Sequence, residues 1–332
     1  MADIAVDLGT ANTLIQVKGR GIVLDEPSVV AVDRATGRLL AAGLDAKRML
    51  GRTPDAVIAS RPMRDGVIAD VDHVEMMLRH FLQRVVPHGA FRMKPRILVG
   101  VPSGITEMER RAVRQAALAA GAKEVYLITE PVAAAIGANL PVTAARASMV
   151  VNIGGGTSEI GVIALSALVT ERSVRVAGNK MDDAISTAVR KQHNLLIGEA
   201  TAENIKMQIG SAVRMSEEMS MNATGRDLVT AIPATVTLHS EEVRDWIQEP
   251  IRAIIAAVRA TLEATPPELS SDLVDNGLVL TGGCSRLRGF DQLLAEETGL
   301  PVHRDPEPMT CVVRGAGMVL DDWRKYRDVV EL

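Results

Sequence analysis

The chain has 332 residues, 47% hydrophobic and 23% charged, a globular composition with room for about two ordinary domains. A formal net charge of -4 and only 2% aromatic residues argue against a dedicated nucleic-acid binder, which needs a basic face and stacking platforms. Cys284 and Cys311 lie far apart without CxxC spacing, so free thiols in a reducing cytosol are expected instead of a disulfide or metal framework. The sequence starts on a strand-like run, Ile4-Ala5-Val6, which leaves no room for a signal peptide. No apolar stretch approaches the roughly 20 residues of a membrane-spanning helix, and a soluble protein, still able to rest on a membrane, is expected.

In chain order, the first clear element is a predicted hairpin. Val6-Asp7-Leu8 reads as a strand, Gly9-Thr10-Ala11-Asn12 as its tight tip, and residues 14–17 as the returning strand. Residues 96–101 (RILVGV) read as a buried strand that ends in the turn Pro102-Ser103-Gly104. Thr106 with Glu109 fits a capping box at a helix start, and Gly121 stands where a helix C-cap belongs. A strand over residues 125–129 follows, and Glu130-Pro131 opens another helix with proline in its first turn. Leu140-Pro141 interrupts that helix, which makes residues 139–146 the expected hinge. Alternating strands and helices imply an α/β architecture.

Residues 151–158 (VNIGGGTS) then echo residues 6–13 (VDLGTANT). Both follow an apolar strand, turn on small residues and run into a second apolar segment. Such an echo predicts two duplicated halves facing each other across a cleft. Farther on, Thr201-Ala202-Glu203-Asn204-Ile205-Lys206 reads as a capped helix start with a solvated Glu203–Lys206 pair on one face. Residues 277–280 read as a strand, followed by the turn Gly282-Gly283-Cys284.

Glycine-rich hairpin tips expose backbone N–H groups to phosphate oxygens, so Gly154, Gly155 and Gly156 suit one side of a triphosphate and Gly9, Thr10 and Asn12 the other. Each tip taken alone is also explained as turn geometry; the matched pair favours the phosphate reading. Walker-type, dinucleotide and GxSxG motifs are absent from the sequence, as is HExxH. Glu130 ends a strand where open α/β sheets place ligands, and it also starts a helix whose dipole favours a carboxylate. Both readings stand at this level.

These segments together resemble the MreB family, the bacterial actins of rod-shaped cells. The resemblance rests on VDLGTANTLI (6–15), RGIVLDEPSVVAV (20–32), RPMRDGVIAD (61–70), the long run 101–141, IGEATAENIKMQIGSA (197–212), residues 265–289 with VLTGGCSRLRG, and RGAGMVL (314–320). It implies duplicated actin-like (ribonuclease H-like) domains flanking a nucleotide cleft. Domain I would span residues 1–140, with a small subdomain near 32–65 and the C-terminal segment 312–332 returning to it. Domain II would span 141–311, with a small subdomain near 178–244. Among site residues, the resemblance implies Thr10, Ala11 and Asn12 as the first phosphate loop and Gly154, Gly155 and Gly156 as the second. Glu203 and Lys206 would face the ribose and adenine, and Gly282, Gly283 and Cys284 would line the base pocket. Asp7 would hold Mg²⁺ through water, while Glu130 and Thr157 would position the water that attacks the γ-phosphate of ATP.

Three positions depart from the family pattern. Asn152 stands where DIGGGT has aspartate, which predicts weaker support of the metal's water shell and slow hydrolysis. Cys284 replaces a glycine, and Asn179-Lys180 stands where an acidic residue is common. The family's membrane contact comes from an N-terminal amphipathic helix, which this sequence lacks, or from an exposed apolar loop. Here the candidate is residues 88–94, where Phe91 and Met93 sit beside Arg92 and Lys94; an ordinary surface loop is the alternative. The implied role is an ATP-dependent filament on the inner face of the cytoplasmic membrane. It would self-assemble, contact membrane proteins of cell-wall synthesis, bind no nucleic acid and maintain rod shape. A small-molecule kinase on the same superfold is the rival, with a divergent bacterial actin paralogue of another cytoskeletal role beside it. An Hsp70-like chaperone would need a peptide-binding domain after the last shared motif.

Overall fold

The computed structural model describes residues 3–86 and 94–331. Phe91 and Met93, named above for membrane contact, lie outside the described residues. The fold is built on two five-stranded sheets of the same topology. In the first, Asp3–Leu8, Asn12–Val17 and Gly21–Pro27 form an antiparallel meander. Arg96–Val101 and Glu124–Thr129 add in parallel on the other side of Asp3–Leu8. In the second, Ser148–Ile153, Ser158–Ala164 and Ala167–Val174 form the meander, and Leu278–Thr281 with Val302–Arg304 adds in parallel. The echo in the sequence is therefore an echo in register. Asp7 pairs with Leu14 and lies beside Gly100, as Asn152 pairs with Glu159 and lies beside Thr281.

Both sheets are covered on both faces, so their central strands are buried almost throughout; every residue of Ser148–Ile153 and of Ser158–Ala164 is buried. One core lies on the outer face of each sheet, and a third joins them. That third core contains Ala5, Leu14 and Leu98 from the first sheet and Val150 and Ile163 from the second. Between them sit the helices Glu130–Gly137 and Cys311–Asp321. Their sequences, EPVAAAIG and CVVRGAGMVLD, bring small residues to the crossing, and the backbones touch. A Cβ added to Gly315 would stand 1.8 Å from the Ala133 carbonyl oxygen, and one added to Gly137 would stand 1.9 Å from that of Cys311. Two smaller three-stranded sheets project from the halves. One is Leu39–Ala42, Val30–Asp33 and Val57–Ser60; the other is Leu195–Leu196, Ser220–Asp227 and Pro233–His239.

Local signals hold in detail. Thr106 accepts from the Glu109 N–H while Glu109 accepts from the Thr106 N–H, the reciprocal bonds of a capping box. Gly121, at φ 120°, follows the end of that helix. The expected strand at 277–280 forms one residue later, as Leu278–Thr281, because Gly277 takes φ 66° against Pro301. The helix expected to start at Thr201 is Glu199–Ile209, with Gly198 at its N-cap position. Thr201 lies inside it and its N–H bonds to the Gly198 carbonyl. Among the described residues no helix is long and apolar enough to cross a membrane.

The glycine contact at the helix crossing yields a direct prediction. Gly315→Ala forces the two helices apart or distorts the turn at Ala133, at a cost of about 1–3 kcal/mol. Chemical denaturation should show a lower midpoint for Gly315→Ala, and an unchanged midpoint would mean that the helices do not meet through backbone.

Candidate functional site

Between the two sheets lies a cavity of about 730 Å³. Its walls include Asp7, Thr10, Ala11, Asn12, Glu130, Asn152, Gly154, Gly155, Gly156, Thr157, Glu203, Lys206, Gly282, Gly283 and Cys284. Every site residue named from the sequence, apart from the membrane pair, is thus brought to one place.

The two hairpin tips are built alike. The Gly9 N–H bonds to the Asn12 carbonyl at 3.1 Å, and the Gly154 N–H to the Thr157 carbonyl at 2.9 Å. Neighbouring segments then occupy two further carbonyls at each tip. Ser28 donates from Oγ to Gly9 at 2.6 Å and from its N–H to Ala11 at 2.9 Å. On the opposite side, Gly178 and Asn179, opening the helix Gly178–His193, donate to Gly154 and Gly155 at 3.2 and 2.8 Å. The two tips approach closely: a Cβ on Gly155 would stand 2.8 Å from Ala11 Cβ, and one on Gly156 would stand 2.5 Å from Thr10 Oγ1. Only glycine leaves this narrow cradle open to an anionic ligand.

Acids gather at the floor. Glu130 is buried, and its carboxylate accepts from Asn152 Nδ2 at 3.0 Å, not from its own helix N-terminus. Thr281 Oγ1 donates to Asn152 Oδ1 at 3.0 Å, which fixes the orientation of the amide. Burial, and after it the charges of Glu159 and Asp7, raises the Glu130 carboxyl well above the ordinary range against the Asn152 donor. The Asp7 carboxyl is pushed up to about 7 by burial and by the charge of Asp25. Glu159 accepts from the Ser103 N–H, Ser103 Oγ and Ser173 Oγ at 3.0, 2.9 and 2.6 Å, which ties the two halves beneath the cavity. Among the described residues no cluster of three or more His, Cys, Asp or Glu could hold a metal. The donor set suits a hydrated cation that completes its shell from phosphate: uncompensated carboxyls lie near the tips, with no all-protein cage.

The other end of the cavity differs from the sequence reading. Glu203 and Lys206 do not pair with each other. Lys206 binds Asp182 at 2.9 Å and the Gly178 carbonyl at 3.1 Å, while Glu203 binds Lys47 of the first half at 2.8 Å. Side chains three apart on a helix can meet, but each here has a partner in better reach on another element. Burial works to raise the Glu203 carboxyl, yet Lys47, then Lys206 and Arg61, hold it below the usual range. Burial raises Asp182 to about 6 even beside Lys206. Cys284 packs by Lys206 and Gly178, and burial pushes its thiol up. Lys47 and Asp182 escaped the sequence reading, since neither stands in a motif; only the folded chain brings them to the cavity.

Two matched hairpins facing across a cavity, each leading a sheet of the same topology, define an actin-like protein. A family model described as MreB/Mbl protein matches residues 1–328. The cell shape-determining protein MreB of Escherichia coli (strain K12) is 53% identical over 323 residues, covering 96% of this chain and 93% of that protein. The cell shape-determining protein Mbl of Bacillus subtilis (strain 168) is 46% identical over 323 residues, covering 97% of each. MreB5 of Spiroplasma citri, solved bound to AMPPNP, superposes with a TM-score of 0.92 at 35% identity, over 98% of both chains. MamK, solved as a double helical filament, shares the fold at a TM-score of 0.82 and 22% identity, over 96% of this chain and 98% of that one. The chain belongs to the MreB/Mbl family.

The raised Asp7 pKa makes stability depend on pH. An acid that holds its proton to about 7 when folded but only to 3.8 when unfolded favours the fold below pH 3.8. That contribution is lost as pH rises from 3.8 to about 7 and is constant above. Asp7→Asn should therefore stabilise the ligand-free protein by an amount that grows from pH 4 to pH 7 and then levels off. Thermal unfolding of both proteins across this range would show parallel curves if Asp7 were not desolvated.

Proposed function

We propose that the chain is an ATP-binding cytoskeletal protein that polymerises on the inner face of the cytoplasmic membrane, organises cell-wall synthesis and maintains rod shape. The observation that carries this reading is the pair of facing hairpin tips, held open by Gly155 and Gly156, at the neck of the cavity between the sheets. Membership of a family whose relatives are named cell shape-determining supports the cytoskeletal role. The relative MreB5, solved with AMPPNP and with ADP, supports a nucleotide as the ligand. The division into domain I (1–140, with 312–332) and domain II (141–311) belongs to the same proposal. One supporting contact is the C-terminal strap, where Glu331 exchanges backbone hydrogen bonds with Leu127 at 2.9 and 3.1 Å. Membrane contact through Phe91 and Met93, and cell-wall partners, follow from the family resemblance.

Within this reading, backbone N–H groups of the two tips hold the triphosphate, and Thr10 and Thr157 flank it. Glu203 and Lys206 take the ribose and adenine, and Gly282, Gly283 and Cys284 leave a flat wall for the base. Asp7 would hold Mg²⁺ through water; the ion supplies neutralisation of phosphate charge. Glu130 orients the attacking water with Thr157, its carboxylate steered by the Asn152 amide. The ATPase is coupled to assembly and slow, because Asn152 contributes no charge.

Sedimentation and negative-stain microscopy with and without ATP test the reading. Wild type should form filaments above a critical concentration, and Gly155→Val should lose ATP affinity by about tenfold or more because its side chain meets Ala11. Monomer at every concentration, nucleotide and lipid condition would instead favour a kinase on this superfold.

Asn152→Asp should raise single-turnover phosphate release at saturating magnesium by about tenfold or less, since a carboxylate acting through water contributes less than a direct oxyanion donor. Two carboxyls 3.0 Å apart would also share a proton tightly, so the acidic limb of the rate profile should move to higher pH. Release no faster than wild type at any pH would show that the amide's bond to Glu130 outweighs the missing charge.

A further inference from the structure

The mouth of the cavity is bridged by ion pairs between the halves. Lys47, in the short helix Leu44–Met49, meets Glu203 at 2.8 Å. Arg61, just after the strand Val57–Ser60, meets Glu199 at 3.4 Å. Glu199 and Glu203 are four apart on the helix Glu199–Ile209, so they form one acidic edge. Like charges at that spacing destabilise a lone helix. Here each acid is matched by a cation from the opposite half, and both cations come from the small sheet region of the first half. The lower contacts between the halves, the glycine crossing and the Glu159–Ser103 bonds, are buried; these upper ones are partly exposed, with Lys47 and Glu203 side chains 29% and 33% accessible. Lys47 and Glu203 both line the cavity, so that pair stands at its edge.

We infer that Lys47–Glu203 and Arg61–Glu199 form a two-rung ionic clasp that sets the rate of nucleotide release, a proposal that rests on the cavity holding a nucleotide. Lys47 acts in two ways: it fastens the mouth, and it holds the Glu203 carboxylate in place at the nucleoside end. Arg61 and Glu199 chiefly fasten: neither lines the cavity, and Arg61 is the weakest of the cations acting on Glu203. The two rungs therefore separate the roles. Loss of Lys47 speeds release and also weakens ground-state binding at the nucleoside end. Loss of Arg61 speeds release and association together, leaving affinity nearly unchanged. Ion pairs this exposed are screened by salt, so the clasp loosens as ionic strength rises.

Release of radiolabelled ADP with magnesium, chased by unlabelled ATP below the assembly concentration, reads the clasp directly. Lys47→Met should speed release roughly twofold to fivefold, and Arg61→Glu by a similar factor. Arg61→Glu combined with Glu199→Arg rebuilds the rung with reversed charge and should return release to the wild-type rate. Wild-type release should quicken with added salt, while the double variant Lys47→Met with Arg61→Gln should release fast and respond little. Equal release from wild type and that double variant, or a wild-type rate indifferent to salt, would overturn the clasp while leaving nucleotide binding intact. No ADP or ATP binding by wild type would overturn the nucleotide reading and the clasp together. Thermal unfolding of each variant separates a loosened mouth from a disturbed fold: the clasp requires faster release with a midpoint lowered by no more than one exposed ion pair contributes.

Discussion

The backbone contact between the helices Glu130–Gly137 and Cys311–Asp321 sets the geometry of everything above it. Each helix packs on the inner face of one or both sheets, so their separation fixes the distance between the sheets. Because Gly137 and Gly315 let carbonyl oxygens sit where a Cβ would be, that distance is as short as two helices allow. The same helices deliver Glu130 and Val312 to the cavity floor. Larger residues at the crossing would spread the sheets, and the hairpin tips would no longer approach within reach of one ligand. Such a crossing combines two tasks: it is a rigid joint at the base, and it leaves the mouth free to be governed by weaker contacts.

In the proposed nucleotide site the tips turn a hairpin into a binding element. A hairpin tip has more carbonyls and N–H groups than its own closing bond uses. Ser28 on one side, and Gly178 with Asn179 on the other, take the carbonyls from behind. Two acceptors at each tip that would repel an anion are thereby engaged within the protein. The two sides reach this result with different donors, a serine in one half and a helix N-terminus in the other. Duplication has preserved the hairpin and left its support to diverge.

Much of this was legible in the sequence because it is local. A capping box, a buried apolar strand and a glycine tip each depend on residues within a few positions of one another, as Thr106 with Glu109 illustrates. The echo of residues 6–13 in 151–158 was likewise visible as pattern, and it predicted the paired sheets. What the sequence concealed is long-range. Glu203 and Lys206 look like mutual partners at i,i+3, yet each finds a better one more than twenty positions away. Thr201 looks like a cap, but the helix gains a half turn from Glu199 and Ala200 because Gly198 can supply the N-cap conformation. The Asn152–Glu130 bond joins residues 22 positions apart in different halves, so the loss of a charge could be read but the gain of a donor could not.

That bond places two demands on one position. Asp7, Glu130 and Glu159 already concentrate carboxyls in a region where burial opposes ionisation. A fourth carboxylate at 152 would increase the mutual repulsion whenever no cation is bound, and the amide avoids it while supplying Glu130 with a hydrogen bond. Functional sites commonly retain such strain, which the ligand relieves on binding. With asparagine at 152 less strain remains, so under the proposed function the cleft would depend less on a cation for its cohesion. In the proposed ATPase, the amide would also bring less charge to bear on a reacting phosphate. Under the proposed function, cohesion of the empty cleft and speed of hydrolysis would therefore oppose each other at residue 152, with asparagine favouring cohesion.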